Sequence, residues 1–148
     1  SMIPPAVRTT QYRAAIIDLV EQLNPALAIT LAFNRDTTPA GAARDLKHLH
    51  ARLDRMILGP KWAKRADDRT TSVAVIEHVD DNLHIHLALS CAPEFVERIE
   101  AAVPGIWKEM VPAGSVVVKD ASDIPGWGNY IAKAITPQTS DLLLLSLG

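Results

Sequence analysis

Cysteine is almost absent from this sequence, whose 148 residues contain a single thiol, Cys91. One cysteine cannot form an internal disulfide, and it cannot supply a zinc cluster that needs several thiolates. It also excludes the zinc nucleobase deaminases, because their motif contains a pair of cysteines. This usage is typical of a reducing compartment, and we predict a cytoplasmic protein.

Long apolar segments are missing as well. No run in the sequence reaches the roughly 18–20 residues that cross a bilayer, so no membrane partner is expected. The N-terminal residues lack the charged-then-apolar pattern of a signal peptide. Repeats, low-complexity tracts and linkers are absent too, and residues 1–148 are predicted to form one domain. Residues 1–25 are predicted to form an N-terminal helical extension, and Ser1 before Met2 resembles a cloning scar.

Positive charge is scarce for a protein that would bind nucleic acid. The formal net charge is −2, whereas phosphate contacts normally call for a basic surplus. The charges are segregated, however. Residues 35–69 contain nine Lys/Arg and five Asp/Glu, and residues 77–123 contain three and nine. The basic flank is either ordinary solvated surface or a surface that contacts phosphates.

The apolar pattern that is present predicts an α+β fold. Strand-like segments occur at residues 26–33, 72–79, 83–90, 115–119 and 140–147. Helical patterns occur at residues 10–23, 39–58, 93–103 and 127–135, with Thr38 as a cap for the second and Pro104-Gly105 as a stop for the third. This order predicts a single, mostly antiparallel, five-stranded sheet with helices packed on it.

A predicted β-hairpin over residues 72–90 is the centre of this pattern. With Asp81-Asn82 as a two-residue loop, Glu77 pairs with His86. Strand side chains alternate, so His84 and His86 lie on one face and the Glu77 carboxylate lies near both imidazoles. A three-residue loop would instead put Glu77 on the opposite face. Two imidazoles and a carboxylate fit a divalent cation that keeps open positions.

The segment KWAKR surrounds one aromatic residue, Trp62, with the cations Lys61, Lys64 and Arg65. Such a group could stack a base and hold phosphates. Alternatively, Trp62 anchors the loop to the core and its neighbours are solvated. Arg35, in the loop after the first predicted strand, is a further candidate for contact with nucleic acid.

The last predicted helix contains Tyr130 and Lys133, which are three residues apart and therefore lie on one helix face. A tyrosine hydroxyl is a weak nucleophile near neutral pH unless a metal-polarised electrophile or a nearby cation assists it. Lys133 could supply that cation. In an ordinary amphipathic helix, the same pair is a half-buried tyrosine and a lysine that extends to solvent.

Taken in order, these motifs resemble those of the HUH endonuclease family, the rolling-circle replication initiators, relaxases and transposases that nick single-stranded DNA. The resemblance rests on the strand AITLAF, on His84-Ile85-His86 with Glu77 seven residues upstream, and on the segment NYIAK with Tyr130 and Lys133. It covers residues 26–147.

The resemblance implies an HUH-nuclease-like sheet, related to ferredoxin-like folds. It implies that His84, His86 and Glu77 bind Mg²⁺ or Mn²⁺, which polarises the scissile phosphate. Tyr130 would attack that phosphate, assisted by the charge of Lys133, leaving a 5′-phosphotyrosine link and a free 3′-OH. Single-stranded or hairpin DNA is the implied partner. The sequence has no P-loop, so any duplex melting would need a separate helicase.

Two other interpretations remain open. Some nucleotide hydrolases carry an H-x-H-x-H motif in which a histidine attacks a phosphate, but here the third position is Ala88. The competing interpretation is a non-catalytic DNA- or protein-binding module on an HUH-like scaffold. In that module His84 and His86 would be ordinary residues of a sheet.

Overall fold

The computed structural model describes residues 5–79, 81–123, 126 and 143–146. The protein is α+β, as the sequence predicts. In chain order its elements are α1 (Pro5–Leu23), β1 (Leu27–Ala32), α2 (Pro39–Leu58), β2 (Thr71–Val79), β3 (Asn82–Ser90), α3 (Val96–Met110), β4 (Ser115–Asp120) and β5 (Leu143–Ser146). The predicted helix over residues 127–135 lies outside the described residues. None of the described helices has the length and apolarity needed to cross a membrane.

The described strands form one sheet in the order β4-β1-β3-β2-β5, and every neighbouring pair is antiparallel. The antiparallel arrangement is therefore confirmed. Strand β3, which contains both histidines of the HUH motif, is the central strand and lies between β1 and β2. A central strand is held by ladders on both edges, so side chains on β3 are placed more rigidly than side chains on a loop.

One face of the sheet carries the main hydrophobic core, and α2 and α3 cover it. The core residues on β3 occupy alternate positions, as the period of a strand requires. They are Leu83, Ile85, Leu87 and Leu89, and they form one cluster with Leu46, Leu49 and Leu53 of α2 and with Ile99, Val103 and Trp107 of α3. Burying each such side chain contributes about 1.5–3 kcal/mol, so this face accounts for most of the apolar stabilisation.

The other face of the sheet has a smaller core under α1. Ile16 and Val20, one helical turn apart, form a buried cluster with Val73, Val75 and Ala88. This cluster covers the part of the face that lies away from the β2–β3 turn. The part nearer the turn holds the partly buried histidines of β3, which lie outside this cluster.

Helix α2 follows its local sequence signals. The Thr38 hydroxyl accepts a hydrogen bond from the Gly41 N–H at 3.0 Å, and Pro39 is the first helical residue. The helix ends where Gly59 adopts φ 84°, a conformation that favours glycine. The predicted bounds and N-cap of this helix are confirmed.

Helix α3 contradicts the predicted stop at Pro104-Gly105. A short 3₁₀ turn comes first, at Pro93–Phe95, and the α-helix then continues through Pro104 to Met110. The reason is packing beyond the proline. Trp107 is fully buried, its indole Nε1–H donates to the Ala32 carbonyl at 3.2 Å, and its ring meets Phe33 edge-on at 5.0 Å. These contacts outweigh the hydrogen bond that Pro104 cannot make.

A buried polar network joins α2 to the start of β2. Asp54 accepts from the Thr70 N–H at 2.7 Å, from the Thr70 hydroxyl at 2.8 Å and from Arg69 Nε at 2.8 Å. Because the Thr70 hydroxyl donates its proton to Asp54, it accepts from His50 Nδ1–H at 2.7 Å. His50 Nε2 then accepts from the Ser72 hydroxyl at 2.8 Å. These roles hold near neutral pH, where burial keeps the pKa of His50 at about 4 and the imidazole is therefore neutral, with its proton on Nδ1.

This network predicts that stability falls in mild acid. Burial lowers the pKa of His50 from 6.5 to about 4, an effect that the Asp54 carboxylate opposes and the Arg69 guanidinium assists. Between these values the unfolded chain takes up a proton that the folded chain does not, so the free energy of unfolding decreases as the pH falls. The contribution of His50 is fully present above about pH 6.5, and about 3 kcal/mol is lost as the pH falls to about 4.

Denaturant unfolding at a series of pH values, for the native chain and for His50→Gln, measures this effect. We expect the variant to be less stable near neutral pH and to show a shallower pH dependence, because the titrating group is gone. Equal pH slopes for the two proteins would show that the buried histidine does not govern the acid response.

Candidate functional site

The hairpin that carries the candidate metal ligands has a different register from the predicted one. Glu77 lies opposite His84 rather than His86, and β3 already begins at Asn82. The turn therefore comes one residue earlier than expected. Asp81 in this turn has φ 60°, the left-handed conformation that two-residue hairpin loops require and that Asp tolerates. The pairing is displaced by an even number of residues, so Glu77 keeps the predicted face, and the three-residue-loop alternative is not observed.

Glu77 and His86 meet diagonally across β2 and β3. Glu77 Oε2 lies 3.6 Å from His86 Nε2, and the two side chains are 25% and 20% exposed. This distance is too long for a good hydrogen bond. It fits two ligands of one cation, since metal bonds to carboxylate oxygen and imidazole nitrogen are about 2.0–2.2 Å long. The spacing of the carboxylate and the imidazole is therefore compatible with a shared cation.

The other ring nitrogen of His86 is held by β1. His86 Nδ1 lies 3.3 Å from the Thr30 hydroxyl, whereas the inaccessible Nε2 makes no hydrogen bond to the described residues. A histidine that binds a metal through Nε2 usually donates its Nδ1–H to an oxygen behind it. The surroundings of His86 fit that arrangement, with Thr30 as the acceptor.

His84 lies on the same face as His86 and directly opposite Glu77 on β2. The two imidazole rings have centroids 6.3 Å apart and are tilted by 43°. Within the ranges that the structure describes, no three His, Cys, Asp or Glu side chains are grouped closely enough to hold a metal ion. The structure therefore brings two of the three predicted ligands together and leaves the third beside them.

Burial is the main influence on the protonation of His86. It lowers the pKa of the imidazole; the negative charge of Glu77 raises this pKa, and the neighbouring His84 lowers it. A lowered pKa favours the neutral imidazole near neutral pH. The neutral form is the one that binds metal ions.

Thr30 is a residue of the candidate site that the sequence motifs did not predict. It is the only polar residue in the run ALAITLAF, and it pairs with His86 across the β1–β3 ladder. Its even spacing from Ala28 and Ala32 places it on the histidine face. A single hydroxyl residue within an otherwise apolar strand is the sequence feature that could have indicated its role.

A pair of asparagines, also missed, joins three loops at the histidine end of the sheet. The Asn34 N–H donates to Asn82 Oδ1 at 2.8 Å, and Asn82 Nδ2 donates to Asn34 Oδ1 at 2.6 Å. Asn34 Nδ2 also donates to the Ala113 carbonyl and the Ser115 hydroxyl, both at 3.1 Å. These bonds tie the hairpin turn to the loops after β1 and before β4. They hold the strand that carries His84 at its first residues.

The cationic segment at residues 61–65 lies at the other end of the sheet. Strand β2 begins at Thr71, shortly after this segment, and reaches Glu77 six residues later. At about 3.3 Å per residue the separation along the strand is roughly 20 Å. The structure therefore does not bring the four predicted nucleic-acid contacts of this segment to the histidines. These four are Lys61, Trp62, Lys64 and Arg65.

Trp62 has one ring face occupied by its own chain. The Arg69 guanidinium lies over the indole at 4.7 Å from the ring centroid, and the side chain is half-buried. Arg65 is engaged as well, since its Nε donates to the Asp68 carboxylate at 3.1 Å. Stacking by Arg69 favours the alternative in which Trp62 anchors its loop.

Arg35 lies at the histidine end, because it directly follows Asn34. Its guanidinium is 3.8 Å from the Asp45 carboxylate, and its side chain is 45% exposed. The Arg35 side chain could therefore contact a phosphate bound near the histidines. The predicted nucleophile Tyr130 and its neighbour Lys133 lie outside the described residues.

Comparison of the chain with protein-family models, with curated proteins and with solved structures found no match.

Proposed function

We propose that this protein is a metal-dependent, site-specific endonuclease and strand transferase of the HUH type that acts on single-stranded DNA. The supporting observation is the placement of Glu77, His84 and His86 on one face of two neighbouring strands of an antiparallel sheet. A carboxylate and an imidazole 3.6 Å apart form the core of this placement. The proposed setting is the cytoplasm, in a replication-initiator-like role.

The residues present fit a divalent cation such as Mg²⁺ or Mn²⁺. Glu77 Oε2 and His86 Nε2 would hold it, and His84, next to them on the same face, would complete the set. When bound, such a cation polarises a phosphodiester and stabilises the charge that develops on its oxygens. Thr30, whose hydroxyl lies 3.3 Å from His86 Nδ1, would keep the His86 ring oriented.

The proposed chemistry is a transesterification. The Tyr130 oxygen forms a bond to the scissile phosphorus as the bond from phosphorus to the 3′-oxygen breaks. The phenol gives up its proton, and the departing oxygen takes up a proton to become a 3′-OH. Lys133 assists by positive charge. In reverse, a 3′-OH attacks the phosphotyrosine, which joins two DNA ends and releases the tyrosine.

A covalent adduct tests the proposal directly. Single-stranded and hairpin oligonucleotides are incubated with the protein and Mn²⁺, and the products are separated by denaturing electrophoresis and identified by mass spectrometry. We expect a protein–DNA adduct that disappears in Tyr130→Phe. The matched control is Tyr12→Phe, which removes the other tyrosine of the chain and is expected to retain the adduct. An adduct that persists in Tyr130→Phe contradicts the assigned nucleophile.

The alternative is a non-catalytic module that binds DNA or a protein on an HUH-like scaffold. One observation favours this alternative: within the described ranges, no three His, Cys, Asp or Glu side chains lie close enough together to bind one metal ion. Binding of DNA without an adduct, on every sequence and with either metal, would support this alternative and refute nicking.

A further inference from the structure

Helix α2 presents a row of positive charge to solvent, on the side of the sheet opposite to the histidines. Its buried side packs into the main core. Arg44, Lys47, His48 and Arg55 are exposed, and their spacing of three, four and seven to eight residues places them on one helical face. We refer to these four residues as the outer surface of α2.

The positive charge of this surface is not neutralised by nearby carboxylates. The acidic residues of α2 are Asp45 and Asp54. The first interacts with Arg35 in the preceding loop, and the second is fully buried. Within the part of the chain that the structure describes, Arg44, Lys47 and Arg55 form no ion pair. Unpaired cations in a chain of net charge −2 mark this helix as a place where negative charge would bind.

The outer surface of α2 has cations but no aromatic residue. Helix α2 contains no Phe, Tyr or Trp, whereas surfaces that bind single strands combine cations with aromatic rings on which bases stack. Cations alone suit the backbone of a duplex, whose bases are already stacked. From Arg44 to Arg55 the row is about 16 Å long, which is roughly the rise of five base pairs.

We propose that the outer surface of α2 binds the phosphate backbone of double-stranded DNA. Because α2 and the Glu77–His86 pair lie on opposite faces of the sheet, the duplex bound here is not the strand at the histidines. The proposal goes beyond the proposed function, because it assigns a second surface of the protein to duplex DNA.

The test uses a fluorescently labelled blunt duplex without divalent cations, so that cleavage cannot contribute. Binding is measured by fluorescence anisotropy over a range of NaCl concentrations. For Arg44→Gln/Lys47→Gln/Arg55→Gln we expect weaker binding and a plot of log K against log salt that is flatter by about two to three, because each phosphate contact contributes about 0.9. Glutamine keeps helix propensity close to that of Lys and Arg.

The matched control keeps the charges but exchanges the residues: Arg44→Lys/Lys47→Arg/Arg55→Lys. It is expected to retain the native salt slope. The proposal is overturned if the glutamine variant keeps the native slope, if the control loses as much as the glutamine variant, or if the native protein does not bind the duplex. It is also overturned if the glutamine variant loses binding only to phosphatidylserine vesicles.

These outcomes are separate from those of the nicking test. A protein that forms the Tyr130 adduct but fails the duplex test refutes the α2 surface alone. A protein that passes the duplex test but never forms an adduct refutes nicking alone.

Discussion

Replacing His84 and His86 together by alanine is expected to abolish metal-dependent cleavage of single-stranded DNA and to leave the protein folded. The two imidazoles supply two of the three proposed ligands, so their loss leaves Glu77 alone to hold the cation. The fold should tolerate the change, because neither side chain is fully buried and the main core lies on the other face of β3. The next residue on the histidine face of β3, Ala88, is already alanine in the native chain.

Cleavage rates with Mn²⁺ and direct binding of Mn²⁺ by calorimetry measure the effect separately. We expect loss of cleavage to background and loss of Mn²⁺ binding, with unchanged circular dichroism. Thr30→Val is the graded comparison. Valine keeps the shape of the side chain but removes the hydroxyl behind His86. We expect the cleavage rate to fall about 10–100-fold, which is the usual effect of removing the oxygen partner of a metal-binding histidine. Thr30→Ser keeps the hydroxyl and is expected to retain most of the activity. Native cleavage by the double alanine variant would refute the metal assignment.

Asp54→Ala is expected to lower the free energy of unfolding by about 3–5 kcal/mol, which is the usual cost of removing one partner of a buried ion pair. Asp54 is fully buried and accepts three hydrogen bonds, two from Thr70 and one from Arg69. The variant leaves the Thr70 N–H and the guanidinium without their acceptor. Domains of this size have total stabilities of about 5–15 kcal/mol, so the loss is a large fraction.

Asp45→Ala is the matched control for this prediction. Asp45 lies on the same helix, but its contact with Arg35 is at the surface and 3.8 Å long, so its removal is expected to cost less than about 1 kcal/mol. Guanidinium unfolding followed by circular dichroism measures both variants. Equal losses would show that the buried network has no special role in holding α2 to β2.

Several features were predictable because their causes are local. Helix α2 has its cap residue, its first-position proline and its terminal glycine within one stretch of sequence, and its predicted bounds are correct. The hairpin over residues 72–90 was also predictable, because two apolar strands flank a turn made of Asp and Asn. The common face of Glu77, His84 and His86 follows from the two-residue period of a strand. The observed pairing differs from the predicted one by two residues, and an even shift leaves each side chain on the same face.

Other features depended on residues far apart in the chain. The continuation of α3 past Pro104 depends on Trp107, whose partner Ala32 in β1 is 75 residues away in the chain and whose partner Phe33 directly follows Ala32. The hydrogen bonds between Asn34 and Asn82 join loops that no local pattern connects. The distance between the cationic segment and the histidines follows from strand direction and sheet order, which the local patterns left open.

The residue pattern was sufficient to identify the α+β class, most of the elements and the side chains that share a face, because period, caps and turns act over a few neighbouring residues. Tertiary packing set the final register, the position of Thr30 behind His86 and the assignment of α2 to the opposite face. Those features arise where distant segments bury apolar surface against one another and form hydrogen bonds between their polar groups. Each segment taken alone is compatible with several tertiary arrangements.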